Sequence, residues 1–341
     1  MQPVAITEAA VHTIADVARL AGVSKSTVSR ALNDSPLIGA ATKERIREIA
    51  REHRFQMNDP ARRLSLRQSH VVALVTYEYK ADVSLPDAFV LELMSGISAG
   101  LHAHGYDLLV IQVSPKDTDW VSRYLESGRV DGFVLLAASC TQRHISVLAE
   151  RKAPFIIWGA TPGRHAHCSV SGDSVAGGRT ATEHLLRTGR SRIAFLGGPP
   201  TEVEVQERYS GYEAALRAAG RTVDPALVAH GDFSPASGAT AMRILLEQAD
   251  DLDGVFANSD LMAIAALDEL RAHGRHVPDD VAVVGYDDVS LAKHSNPPLT
   301  TIKQNGPLAG RLLAENLIEY LRTGAVTNVS IPAELVVRQS A

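Results

Sequence analysis

Between Gly22 and Asn33 the chain reads GVSKSTVSRALN. Four short hydroxyl side chains, Ser24, Ser26, Thr27 and Ser29, stand among Lys25 and Arg30. Hydroxyls held this close to the backbone can bond phosphate oxygens or base edges. The two cations can reach the guanine acceptors of a major groove. This is the chemistry of polyanion recognition. No Ser-His-Asp set and no paired carboxylates stand in a motif context, so catalysis is not indicated. GDSVAGGRT, Gly172 to Thr180, has the glycines of a phosphate loop, but it lacks a lysine before its threonine and is one residue too long. HAHC, His165 to Cys168, offers metal ligands at strand spacing. No second cluster completes a site, and an exposed crossover loop is the plainer reading. Neither a metal nor a cofactor is expected.

The hydroxyls need a rigid helix behind them. Thr13-Ile14-Ala15-Asp16 has the form of a capping box, with Asp16 favouring the positive helix end. Ile14, Val17, Ala18 and Ala21 then share one apolar face. Gly22 suits a tight turn with positive φ, and Ser24 can cap the next helix. That helix buries Val28, Ala31 and Leu32 and presents Lys25, Ser26, Ser29 and Arg30. A third helix, Ala41 to His53, buries Ile46, Ile49 and Ala50. It exposes Lys43, Arg45, Arg47 and Arg51. Two short helices joined through a glycine turn are a helix-turn-helix, whose second helix enters the major groove.

The charge follows this division. The 341 residues carry a net charge of −5, yet residues 1–69 hold 11 Lys and Arg against 7 Asp and Glu. A basic module on an acidic body suits a polyanion partner for the module alone. With 45% hydrophobic and 21% charged residues, the chain has the composition of a globular protein of two or three domains. No segment approaches a membrane span, and the first twelve residues do not read as a signal peptide. Cys140 and Cys168 form no disulfide framework and fit a reducing cytosol.

From His70 onward short apolar runs alternate with amphipathic helices. VVALVTY precedes a helix with Val90, Leu93, Met94, Ile97 and Leu101 on one face. YDLLVIQV precedes a helix ending near Ser127. DGFVLLA and APFIIWG complete the first set. The pattern restarts at Gly172 and runs through RIAFLGG, ALVAHGD, DGVFANSD and DVAVVGYDD. Two such sets predict two doubly wound parallel sheets, with ligands bound at the strand ends and in the crevice between lobes.

TIADVARLAGVSKSTVSRALN, TKERIREIAREHRF and NDPARRLSLRQS together resemble the headpiece and hinge of the lactose-repressor (LacI/GalR) family of bacterial transcription regulators. DSVAGGRTATEHLLRTGRSRIAFLGGP, VFANSDLMAIAAL, DVAVVGYDD and PPLTTIKQ extend the resemblance through the body, from Thr13 to Val337. It implies an all-α headpiece (1–57), a hinge helix (58–69) and a bilobal α/β effector domain of periplasmic-binding-protein type (70–341). PPLTTIKQ would be the third crossover between lobes. DNA contacts would come from Thr13, Ser24, Lys25, Ser26, Thr27, Ser29, Arg30, Asn33, Thr42, Asn58 and Ala61, with Leu64 wedged into the minor groove. The family's ligand positions fall on Phe89, Trp158, Arg208, Phe233, Ser259, Asp287 and Gln304. Ser259 stands where several sugar-responsive members have asparagine. Met57 and Gly39 replace a usual proline and a usual serine cap, and Pro60 falls within the hinge start.

The resemblance implies a cytoplasmic, nucleoid-associated homodimeric repressor, without tetramerising heptads. It would bind near-palindromic operator DNA and release it to a small ligand, a mono- or disaccharide. The alternative is a corepressor-dependent regulator sensing a purine or a phosphorylated metabolite.

Overall fold

The computed structural model describes residues 13–55, 68–77, 88–114, 117, 119–137, 142–159 and 167–341. The chain divides into two compact units, Met1–Ser69 and His70–Ala341.

In the first unit α1 (Ile14–Ala21), α2 (Lys25–Leu32) and α3 (Ala40–Glu52) enclose Val17, Ala21, Val28, Ala31, Ile46 and Phe55. Each helix boundary has a local cause. The Asp16 amide donates to Thr13 Oγ1 at 3.3 Å, and the Thr13 amide donates to the Asp16 carboxylate at 3.1 Å, which is a reciprocal capping box. Gly22 ends α1 at φ 63°, where a side chain would be strained. Ser24 Oγ accepts from the Thr27 amide at 3.1 Å and starts α2. Gly39 heads α3 with no side-chain bond, and the helix begins one residue before the expected Ala41.

The second unit is two lobes. Its helices are α4 (Ala88–Ala103), α5 (Gln142–Glu150), α6 (Ser174–Arg187), α7 (Val203–Ala218), α8 (Pro235–Gln248), α9 (Asp260–Ala272) and α10 (Gly306–Thr323). Its strands are β1 (Val71–Tyr77), β2 (Asp107–Val113), β3 (Gly132–Leu136), β4 (Phe155–Trp158), β5 (Cys168–Gly172), β6 (Ile193–Gly197), β7 (Val228–His230), β8 (Gly254–Ala257), β9 (Ala282–Asp287), β10 (Thr300–Lys303), β11 (Asn328–Ile331) and β12 (Glu334–Val336). The first sheet runs β11-β5-β4-β3-β1-β2, parallel throughout. The second runs β12-β10-β9-β8-β6-β7, with β12 antiparallel.

Helices cover both faces of each sheet, which is why the strands read as unbroken apolar runs. In β1, Val72 and Leu74 join Leu93, Ile97 and Leu313 on one face. Ala73 and Val75 join Trp120, Ile145 and Leu148 on the other. In the second lobe Phe195, Phe256 and Tyr286 pack under α6 and α7, while Leu196, Ala257 and Val283 pack under α8 and α9.

The helix expected to end near Ser127 does end there, although its last turn, Ser122–Glu126, is of π type. Other expectations need correction. Cys168 does not lie in an exposed loop. It opens β5 and is buried, with its thiol pushed up by burial. The chain changes lobe after β5, after β10 and after β11, so PPLTTIKQ ends in the second crossover, not the third. The third carries the chain from β11 into β12. Among the described residues no helix is long and apolar enough to cross a membrane.

Candidate DNA-reading surface and ligand cleft

The start of α2 is a cluster of hydroxyls. Ser24 Oγ lies 2.8 Å from Ser26 Oγ and 2.9 Å from Thr27 Oγ1. Ser24, Lys25, Ser26, Arg30 and Asn33 are exposed, and Thr27, Ser29 and Thr42 are half-buried. Lys25, Arg30 and Arg45 have no acid partner among the described residues, so their charge is open to an anion. Thr13 already donates its hydroxyl to Asp16 at 2.8 Å, and its first task is holding α1. Asn58, Ala61 and Leu64 lie outside the described residues.

In the second unit the parallel strands of both lobes end at the lobe boundary, and the residues there are polar where the strands are not. Phe89 enters from α4 and Trp158 from the end of β4. Their rings sit 5.4 Å apart, inclined at 40°. From the second lobe come Asn258 after β8, Asp287 at the end of β9 and Gln304 after β10. Gln304 Nε2 donates to Asp287 Oδ1 at 2.6 Å. Two residues on, Gly306 lies against the Phe89 ring, so the second crossover touches both halves of the set.

Arg208 projects from α7. That helix packs on α6 so closely that a Cβ on Gly178 would strike the Arg208 carbonyl. The guanidinium lies 3.7 Å over the Tyr286 ring. Its Nη1 donates to the Asn258 carbonyl at 2.7 Å and to Asn258 Oδ1 at 3.3 Å. Arg208 Nε and Asn258 Nδ2 are buried with no hydrogen-bond partner. Unmet donors of this kind are costly unless something accepts from them.

Ser259 does not take the asparagine's place. Its hydroxyl caps α9, accepting from the Met262 amide at 3.3 Å. The amide side chain stands one residue earlier, at Asn258, which sequence reasoning passed over. The usable signal was a polar ANSD run directly after the apolar strand DGVF. Asp260, also unforeseen, is buried and accepts from Thr301 Oγ1 at 2.5 Å and from the Val289 amide at 2.9 Å. Burial raises its carboxyl. It anchors the turn after β9, where Asp287 and Asp288 both adopt positive φ, 115° and 58°. Arg338 holds Asp288 at 2.6 Å from the other side. Phe233 also has positive φ, 70°, and its ring covers Gly198. Strained backbone at consecutive cleft positions persists only where its surroundings impose it.

The lobes also touch at the rim. Glu92 of α4 accepts from the Ser290 amide at 3.0 Å and from its hydroxyl at 3.1 Å. Glu204 of α7 reaches Gly159, where a Cβ would strike its carboxylate. The rim is acidic. Glu202 is pushed up to about 7 by burial and by Glu204, and Glu207 is raised by burial, by Glu204 and by Asp173. Asp173 caps α6, accepting from the Ala176 amide at 3.0 Å, so an acid occupies the place a phosphate would need. Among the described residues no three His, Cys, Asp or Glu side chains are grouped to hold a metal ion.

Residues 13–58 match the family described as bacterial regulatory proteins, lacI family, and residues 182–341 match a periplasmic binding protein-like domain. The HTH-type transcriptional regulator CelR of Thermobifida fusca is 39% identical over 334 residues, covering 96% of this chain and 98% of CelR. The HTH-type transcriptional repressor PurR of Haemophilus influenzae is 28% identical over 340 residues, covering 96% and 98%. Among solved structures, a complex of the transcriptional regulator CelR with cellobiose superposes with a TM-score of 0.75 at 36% identity, covering 96% of this chain and 99% of that one. The lac repressor dimer bound to operator and the anti-inducer ONPF gives 0.84 at 27% identity, covering 96% and 98%. These proteins are regulators and not enzymes. The chain belongs to the LacI family of bacterial regulatory proteins and is a DNA-binding transcription regulator.

Proposed function

We propose that this chain is a cytoplasmic, nucleoid-associated homodimeric repressor induced by an uncharged mono- or disaccharide. Residues 1–57 form the reading head, 58–69 the hinge and 70–341 the effector and dimerisation domain. Each head reads one half of a near-palindromic operator through Ser24, Lys25, Ser26, Thr27, Ser29, Arg30 and Asn33. Thr13 and Thr42 lie beside the phosphates, and Asn58, Ala61 and Leu64 act in the hinge.

The observation that carries the sugar reading is that the crossover bearing Gln304, bonded to Asp287, also lies against Phe89, whose ring pairs with Trp158. A pyranose offers C–H faces to aromatic rings and hydroxyls to a carboxylate, an amide and a guanidinium. Asn258 joins this set, and Phe233 closes its second-lobe side. A ligand touching both lobes stabilises their closed arrangement, and only its differential affinity for the two arrangements moves the DNA-binding equilibrium. The acids Glu204, Glu207 and Asp173, grouped beside Arg208, oppose a phosphorylated effector.

The likeness to a cellobiose-bound regulator makes cellobiose the first compound to test. Calorimetry of the full-length dimer with cellobiose, glucose, galactosides, glucose 6-phosphate and hypoxanthine identifies the binder. Operator release is then followed with that binder. A neutral sugar that weakens operator binding is the expected result. A purine or a phosphorylated compound that strengthens it replaces this reading with corepression.

A further inference from the structure

Asp34 is an acid where a recognition helix least accommodates one. It follows α2 and its cap Asn33, with φ 58°. Its amide donates to the Ala31 carbonyl at 3.1 Å, and the next amide, of Ser35, reaches back to the Arg30 carbonyl at 2.9 Å. This is a left-handed helix stop, where glycine or asparagine is the usual residue. An aspartate there also sets its charge against the negative end of the helix dipole. A locally unfavourable choice of this kind asks for a compensating gain.

The compensation is a three-residue ion cluster. Asp34 Oδ1 accepts from Lys43 Nζ at 2.9 Å and from Arg47 Nη2 at 3.0 Å, and the Asp34 carbonyl accepts from Lys43 Nζ at 3.1 Å. Lys43 and Arg47 lie one turn apart on α3, so one carboxylate reaches both. These cations hold its carboxyl below the usual carboxylate range, Lys43 most strongly. Among the other headpiece cations, Arg19 pairs with Asp16 and Arg51 with Glu44. Lys25 and Arg30 on α2, and Arg45 on α3, have no acid partner among the described residues. Lys43 and Arg47 are tied to Asp34. The cluster sits next to the proposed DNA face, because Asn33 and Thr42 immediately precede Asp34 and Lys43.

We propose that Asp34 sets DNA specificity by withholding Lys43 and Arg47 from phosphates, trimming sequence-independent attraction while leaving the reading face of α2 charged. Non-specific affinity is almost wholly phosphate neutralisation, whereas operator affinity also contains base contacts. An acid that cancels cations beside the reading helix therefore lowers the first more than the second. The inference rests on the DNA-reading surface proposed above and not on the ligand cleft.

The test uses full-length protein with two duplexes, one of random sequence and one selected from a random pool by the wild type. Asp34→Asn removes the charge and keeps a residue that tolerates positive φ, and Asp34→Gly does the same without any side chain. Both variants should bind the random duplex more tightly, on the order of tenfold at roughly 50 mM salt. The dependence of log affinity on log salt should steepen by about 0.9 for each cation released to a phosphate. The selected duplex should gain less, so the ratio of the two affinities falls. Replacing Lys43 and Arg47 by Gln should abolish the gain in the Asp34→Asn background and change little in the wild type.

An unchanged salt slope in both variants overturns the proposal, as does an equal loss of affinity for both duplexes, which would make Asp34 a helix stop only. If the wild-type protein selects no duplex from the pool, the DNA-reading surface itself fails, and that outcome is distinct from either of these.

Discussion

Gln304 and Asp287 meet at 2.6 Å, amide to carboxylate, at the point where the chain leaves the second sheet for the first lobe. The bond ties Asp287, the acid proposed above to face the ligand, to a crossover that also lies against Phe89. On that proposal, a ligand bonded to Asp287 would bear on the crossover and so on lobe position. Asp287→Ala removes the acceptor for Gln304 and for a ligand hydroxyl. The expected cost in ligand affinity is on the order of 1–3 kcal/mol. The variant should still bind operator and should no longer release it. Calorimetry with the identified effector checks this, and unchanged affinity would move the site away from Asp287.

The two tryptophans report separately. Trp120 is sealed in the first-lobe core, edge-on to Phe133 at 5.0 Å, while Trp158 is half-buried beside Phe89. Ligand binding should change the emission of Trp158 alone. Trp158→Phe should abolish that signal, and Phe89→Ala should weaken binding by about 1 kcal/mol or more. A full ligand signal from the Trp158→Phe variant would place the ligand elsewhere.

Arg30 is exposed in the last turn of α2 and has no acid to distract it. If it reads guanine, Arg30→Ala should cost roughly 1–3 kcal/mol and relax the preference at one base pair of each half-site. Selection from a random pool by the variant shows which. The same loss on every sequence would make Arg30 a phosphate anchor.

Gly39 heads α3 without a side-chain bond, and a Cβ there meets nothing within 4 Å. Gly39→Ser should supply the missing acceptor and stabilise α3 by a few tenths of a kcal/mol. Slower hydrogen exchange at the first amides of α3, in the full-length protein, is the readout.

Glu202 holds its proton more tightly in the folded protein, at about 7 against an ordinary 4.5, through burial and then through Glu204. Its contribution to stability is therefore complete below 4.5 and is lost as pH rises through about 7. Glu202→Gln should flatten that decline. Thermal unfolding should show variant and wild type converging at low pH, with the variant more stable above pH 7. Parallel curves would mean that Glu202 titrates alike in both states.

The helix-turn-helix was legible because its determinants are local. Thr13, Asp16, Gly22 and Ser24 act within three or four residues of themselves, and the apolar stripe of each helix follows its own period. Most strands of the two lobes were legible for a related reason, since a strand buried on both faces needs an unbroken apolar run. β5 and β11 escaped notice because CSVSG and NVSI are mixed in polarity, and their pairing with each other joins residues far apart in the chain.

The candidate cleft residues came from resemblance, and their partners came only from tertiary structure. The resemblance names an arginine, an aspartate, a glutamine, a serine and three aromatics. It does not say that Arg208 spends one nitrogen on Asn258 and lays its guanidinium over Tyr286. Nor does it say that Ser259 is committed to capping α9, that Asp260 anchors the turn after β9, or that Asp34 holds two cations of α3. Capping and periodicity act over a few bonds and leave a pattern in the sequence. Pairing between side chains on different elements depends on where the packed helices and strand ends come to rest, and only the folded chain decides that.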